Sequence, residues 1–138
     1  MNRIGLTPHI APEGWHVPTD AEWTELEIAL GMSQSERDGE YYRGTNEGSK
    51  LVGSAILWDS GVLKNNSEFG SSGFNALPAG MRFSAGYCCL GGYGAFWSTT
   101  EHGKSWAWAR RLDFNSSEVY RENYDGKGNF NSIRCLRD

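Results

Sequence analysis

Over the last third of the chain, apolar and polar residues alternate in short bursts separated by small polar residues. Trp108, Arg110 and Leu112 fall on one face of a strand, with Ala107, Ala109 and Arg111 on the other. Further on, Val119 and Arg121 share one face and Tyr120 and Glu122 the other. The pattern predicts strands near 95–99, 106–112, 117–121 and 131–136, joined by turns such as Asp125-Gly126. One face of each strand would be fixed by packing. The opposite face is then free to carry whatever binds, which favours recognition over catalysis.

Upstream the period changes. Trp23, Leu26 and Leu30 recur at helical spacing. Thr19 can cap that helix, and Glu22 three residues later completes a capping box. Asp20 and Glu22 suit the positive end of the helix dipole, and Gly31 is a natural stop. A helix is expected at about 20–30. Residues 33–46 are polar and read as a loop with at most a turn of helix. A second short helix fits 48–57, with Leu51, Ala55 and Ile56 inward. From Trp58 to Tyr87 the chain is dense in Gly, Ser and Asn, yet Phe69, Phe74, Leu77 and Met81 anchor it. A disordered linker would not carry so many large apolar residues. Long ordered loops on a small sheet are usually functional. Helices, an irregular middle and a late cluster of antiparallel strands make an α+β pattern. No internal repeat or second domain is visible, so residues 1–138 read as a single domain.

Composition narrows the function. The net charge is −4 and 22% of residues are charged. No basic stripe runs through the chain, so no nucleic-acid partner is expected. Aromatic residues make up 13%; half of them would fill the core, and the rest are free for binding surfaces. No apolar run approaches the roughly 20 residues of a membrane span, and Met1–Ile10 lacks the pattern of a signal peptide. The three Cys are read either as thiols or as one disulfide from Cys135 to Cys88 or Cys89, which would imply an oxidising compartment. His9, His16 and His102 show no metal-ligand spacing. Gly91-Gly92-Tyr93-Gly94 lacks a following Lys-Ser/Thr and is a turn, not a phosphate cradle. No metal or cofactor is expected.

Several motifs in register resemble one family. They are Gly14-Trp15-His16-Val17-Pro18-Thr19-Asp20-Ala21-Glu22-Trp23, Ser72-Gly73-Phe74-Asn75-Ala76-Leu77-Pro78-Ala79-Gly80, Phe96-Trp97-Ser98-Thr99-Thr100-Glu101, Ala107-Trp108 and Ser132-Ile133-Arg134-Cys135. From about Pro12 to Asp138 the chain resembles the Fibrobacter succinogenes major paralogous domain. The resemblance implies a C-type lectin-like fold: a short antiparallel sheet, one or two helices and long ordered loops. It implies that Trp15, Trp23, Trp97 and Trp108 are core, and that His16 is structural. Some members serve as variable proteins of diversity-generating retroelements, in which a C-terminal segment is rewritten at adenines. Residues 101–131 occupy the matching place. Their Asn, Tyr, Ser, Asp and His residues fit altered asparagine codons, whereas Trp106, Glu118 and Glu122 do not. Members often have a Cys where Ala11 stands, a partner for the counterpart of Cys135. Its absence here shifts the reading from an exported lipoprotein toward a protein assembled in the cytoplasm, such as a phage fibre tip.

The sequence therefore points to a non-enzymatic display domain whose site is the outward side of residues 102–131. The expected ligand-binding residues are His102, Lys104, Trp106, Arg111, Asp113, Asn115, Tyr120, Glu122, Asn123, Tyr124 and Asp125. The expected partner is a cell-surface protein or glycan, met from a virion or bacterial surface, with the chain part of a larger fibre or homo-oligomer. Arg110, Arg121 and Arg134 are read as inward, charge-paired groups, with Asp138 or Glu101 as partners. The alternatives are a calcium-independent carbohydrate-binding module and, more remotely, a formylglycine-generating type of enzyme. The calcium triplets of sugar-binding C-type lectins are absent. Cys88-Cys89 is too tightly coupled in sequence to supply two independently placed reactive thiols.

Overall fold

In the computed structural model, which describes residues 10–138 apart from the side chains of Tyr124 and Asp125, the helix start at Thr19 is realised in full. His9 lies outside the described residues. The first strand, β1 (Trp15–His16), leads into α1 (Asp20–Ala29). The Thr19 hydroxyl accepts from the Glu22 amide at 3.2 Å, and the Glu22 carboxylate accepts from the Thr19 amide at 2.7 Å. Gly31, with φ +120°, turns the chain away after the helix. His16 bridges this start to the chain's end. Its Nε2 meets Glu22 at 2.8 Å and its Nδ1 meets Asp138 at 2.7 Å. Hydrogen bonding to Asp138 and then to Glu22 raises its pKa.

The polar stretch after α1 is not all loop. It holds β2 (Tyr41–Arg43), and α2 (Glu47–Leu51), a 3₁₀ turn at Ala55–Leu57 and α3 (Val62–Asn65) come after it. Two short strands follow, β3 (Met81–Phe83) and β4 (Gly86–Cys88), and then the long ones: β5 (Tyr93–His102), β6 (Trp106–Asp113) and β7 (Val119–Gly126). The chain closes with β8 (Leu136–Arg137), paired antiparallel to β1. The main sheet is antiparallel with strand order β2-β7-β6-β5. The architecture is α+β, as expected.

One face of this sheet is locked onto α1. Phe96, Leu112 and Val119 pack with Trp23, Leu51, Val52, Trp58 and Leu63. The Trp23 indole N–H donates to the Trp97 carbonyl at 3.3 Å. Beside this apolar core sits an ionic one. Glu27, fully buried, accepts from Arg43 at 2.8 Å and from Arg110 Nε at 2.5 Å. Asp20 accepts from Arg110 and from Arg121, each at 2.7 Å. Burial alone would raise the Asp20 pKa, but Arg121 and Arg110 outweigh it and bring it down. Both carboxylates and the three guanidiniums are thus paired, as burial of charge requires.

The irregular middle is held by close backbone approaches. The Gly48 amide donates to the Ser117 carbonyl at 2.9 Å, and a Cβ there would collide with the Glu118 backbone. Leu51, Trp58 and Met81 are buried anchors, and Phe69 and Phe74 are partly so.

Several expectations need correction. Ile56 is 91% exposed instead of inward, because the 3₁₀ turn buries none of its own residues. Leu77 and Trp15 are also exposed; Trp15 sits on a two-residue strand at the edge of the fold. No strand runs through 131–136; Phe96 and Ser132 form an isolated bridge, and β8 begins only at Leu136. The strand β7 continues through Asp125 and Gly126, so the turn falls later, at 127–128. Arg134 is exposed and lies over the Phe74 ring at 4.5 Å; neither Asp138 nor Glu101 pairs with it. Arg110 and Arg121 are inward and paired, but with α1. Cys135 makes no disulfide: Cys88 and Cys89 are bonded to each other.

Candidate functional site

The opposite face of the sheet is divided. Toward the β5–β6 hairpin it is covered: Trp97, Ala107 and Ala109 pack with Val17, Ile133 and Cys135. Toward the other end it presents an aromatic cluster. Register places Tyr42, Tyr120, Arg111 and Ala95 side by side across the four strands, with Tyr93 opposite Asp113. Alternation along each strand then puts Tyr93, Arg111, Asp113, Tyr120 and Glu122 on one side.

The side chains interlock. The Arg111 guanidinium lies 4.0 Å from the Tyr120 ring centre and 4.9 Å from that of Tyr93, a cation held between two rings. Glu122 stands 3.7 Å from it. Its Nε–H is buried with no partner among the described residues. The Tyr42 ring meets Tyr120 edge-on at 4.8 Å, and Tyr41 meets it at 5.7 Å. Tyr41 has a φ of 67°, which a side-chain-bearing residue adopts only when neighbours hold it. The Tyr42 hydroxyl donates to Asp113 at 2.6 Å, and the other Asp113 oxygen accepts from the Asn115 amide at 2.9 Å.

The electrostatics follow from this packing. Burial and the hydrogen bond to Asp113 push the Tyr42 pKa up to about 12. Burial and then Glu122 raise that of Tyr120. Burial would lower the Arg111 pKa, but Glu122 overrides it and raises it. Both raised tyrosines, Tyr42 and Tyr120, hold their protons more tightly than a free phenol, beside an Arg111 that holds its charge. Tyr41 and Tyr42 are 48% and 41% exposed, so their rings remain open to contact. The cluster offers ring faces, hydroxyls and one guanidinium.

The residues anticipated from sequence do not gather at one place. Arg111 and Tyr120 lie in the cluster and are half-buried. Asp113, Glu122 and Asn123 were expected outside and are buried. Tyr42 covers Asp113, Arg111 stands against Glu122, and Glu40 accepts from Asn123 at 3.2 Å. They support the surface from below. His102, Lys104 and Trp106 are exposed at the hairpin tip, far along the strands from the cluster. Asn115 is exposed in the loop after β6. The side chains of Tyr124 and Asp125 lie outside the described residues. Trp108, expected in the core, is half-buried: Arg121 stacks on it at 3.7 Å and His102 meets it edge-on. Sequence reasoning missed Tyr41, Tyr42 and Tyr93. The adjacent pair Tyr41-Tyr42 was the available signal, since aromatic residues favour strands.

Elsewhere, Pro18, Trp23, Leu26, Phe74 and Leu136 line an apolar cleft of about 150 Å³ beside α1. Among the described residues, no three His, Cys, Asp or Glu side chains gather as a metal site. No helix among them is long and apolar enough to cross a membrane.

The family model described as Fibrobacter succinogenes major domain matches residues 3–137. The chain belongs to that family. Neither curated proteins nor solved structures yield a match.

Proposed function

We propose that this member of the Fibrobacter succinogenes major domain family is a non-enzymatic ligand-binding display domain of C-type lectin-like fold. In this reading it acts outside the cell, on a phage virion or bacterial surface, within a larger fibre or homo-oligomer. Its ligand is a cell-surface protein or glycan, and its 102–131 segment is diversified by a retroelement. The observation that carries the binding reading is the gathering of Tyr41, Tyr42, Tyr93, Arg111 and Tyr120 on the face turned away from α1. Tyr and Arg are the residue types that most often dominate binding energy at such surfaces. Arg111 and Tyr120 come from the segment 102–131, whose exposed His102, Lys104 and Trp106 give a second contact region.

The test is a binding titration of labelled protein on intact bacterial cells. Tyr42→Ala and Tyr120→Ala should each weaken binding by about thirtyfold, the loss typical of an interface hot spot. Unchanged binding in both would sink the assignment of this face. The diversification half is tested at the gene: a neighbouring reverse transcriptase and a near-copy of the 3′ coding region are expected, and their absence removes it. Exposed tyrosine rings also favour the second reading, calcium-independent sugar binding by stacking. Competition of cell binding by soluble polysaccharide, unaffected by EDTA, would select it.

A further inference from the structure

Cys88, the last residue of β4, is joined to Cys89, the first residue of the loop to β5. Both are half-exposed, and exposed Tyr87 and Leu90 flank them. With Ala79 these residues line an open cleft of about 380 Å³, so a small thiol can reach the sulfurs. The loop is also wired to the aromatic face. Cys89 has a φ of 69°, a region that residues with side chains rarely hold unaided. In that conformation its carbonyl accepts from the Gly92 amide at 3.1 Å and from the Tyr93 amide at 2.9 Å. The Cys88 carbonyl lies against Gly80, where no Cβ would fit. Gly80 in turn donates to the Tyr93 carbonyl at 2.8 Å. The bonded pair thus fixes Tyr93 through both its amide and its carbonyl. Tyr93 is one of the two rings that hold Arg111.

We propose that Cys88–Cys89 is a thiol–disulfide exchange site for a small dithiol, and that its redox state sets the placement of Tyr93. A thiolate of the dithiol attacks one sulfur of the pair. A mixed disulfide forms, and the other Cys sulfur leaves as a thiolate and takes up a proton. The second thiolate of the dithiol then displaces the remaining Cys sulfur and closes its own disulfide. Two electrons pass to the protein, which ends with two thiols, and the dithiol ends as a cyclic disulfide. Once the pair opens, nothing covalent holds Cys89 in the left-handed region. Its carbonyl can turn away from Gly92 and Tyr93, and the ring under Arg111 loosens. The consequence for ligand binding rests on the reading of the aromatic face given above; the exchange step does not.

Alkylation under native conditions tests the first half. Protein prepared without reductant is treated with iodoacetamide, before and after dithiothreitol, and the peptide bearing Cys88 and Cys89 is weighed. No adduct before and one adduct on each Cys after are expected. Alkylation of both before reductant, or of neither after it unless denaturant is added, would overturn the proposal. Amide hydrogen exchange tests the second half. Reduction should abolish protection at Gly92 and Tyr93 and leave Ala109 on β6 protected. Unchanged protection at Gly92 and Tyr93 overturns the coupling. The C88S/C89S double variant should show the reduced pattern at Tyr93 and ignore dithiothreitol. A response in that variant would assign the effect to Cys135 and defeat the proposal. Neither readout uses a ligand, so failure of the binding reading leaves both intact.

Discussion

Arg110 and Arg111 are neighbours on β6, and they face opposite sides of one sheet. Arg110 is 1% exposed and meets two carboxylates, a hydroxyl and a carbonyl of α1. Arg111 meets two tyrosine rings and one carboxylate at 3.7 Å, and its Nε–H has no partner among the described residues. The first environment saturates a buried charge and admits no substitute. The second holds a charge by ring faces, which tolerate different neighbours and leave donors to spare. The contrast separates the part of the sheet that keeps the fold from the part able to change.

The sharpest way to break this contrast is to exchange each arginine for methionine. Arg110→Met leaves the buried Glu27 with Arg43 alone and the part-buried Asp20 with Arg121 alone. It should cost roughly 3–5 kcal/mol, as loss of one partner of a buried pair does. Arg111→Met should cost about 1–2 kcal/mol, the range of a partly desolvated cation on aromatic rings. Urea denaturation of both variants measures the difference, and equal losses would erase the distinction between the faces. A smaller effect probes the helix that carries the inner carboxylates. Thr19→Ala removes the cap and should cost about 1 kcal/mol, with the Arg110 ion pairs retained, as read from its guanidinium NMR signals. The smallest effect is in pH. Tyr42 has its pKa raised to about 12 by burial and by Asp113. A raised acid pKa means that the folded form holds its proton more tightly. The contribution is therefore complete below about 10, the ordinary tyrosine value, and is lost as pH rises through 12. Phenolate absorbance should show a titration step near 12, and Tyr42→Phe should remove that step.

The locally encoded parts of this fold were legible. Thr19 and Glu22 announce α1 because a capping box is a contact between residues three apart. The bodies of β5, β6 and β7 follow from alternation. What escaped depends on distant partners or on irregularity. The strand β2 is only Tyr41–Arg43 and begins at a residue with positive φ, so a polar loop hides it. The ladder of β6 with β7 shifts register between Ala107 and Ala109, which blurs simple alternation around Trp108. Asp113, Glu122 and Asn123 looked like surface residues because nothing nearby in sequence shows Tyr42, Arg111 and Glu40 arriving beside them. The face of the candidate site could be read from period two. Its membership could not, since three of its tyrosines come from outside the segment that alternates.

The strand β5 is ten residues long and ends the sheet. A strand of that length with an open flank would be a template on which copies of the chain could add, growing into fibrils. Here loops stitch the flank shut at single points, one of them Pro18, whose carbonyl accepts from the Thr99 amide at 2.9 Å. Gly80 bridges to Gly94 and Ser132 to Phe96, with Ser132 donating to the Ala95 carbonyl and accepting from the Trp97 amide. A protein displayed in many copies on one scaffold lives at very high local concentration. Under the display role proposed above, these stitches of loop backbone, none of them a strand, are what would keep neighbouring copies from zipping together.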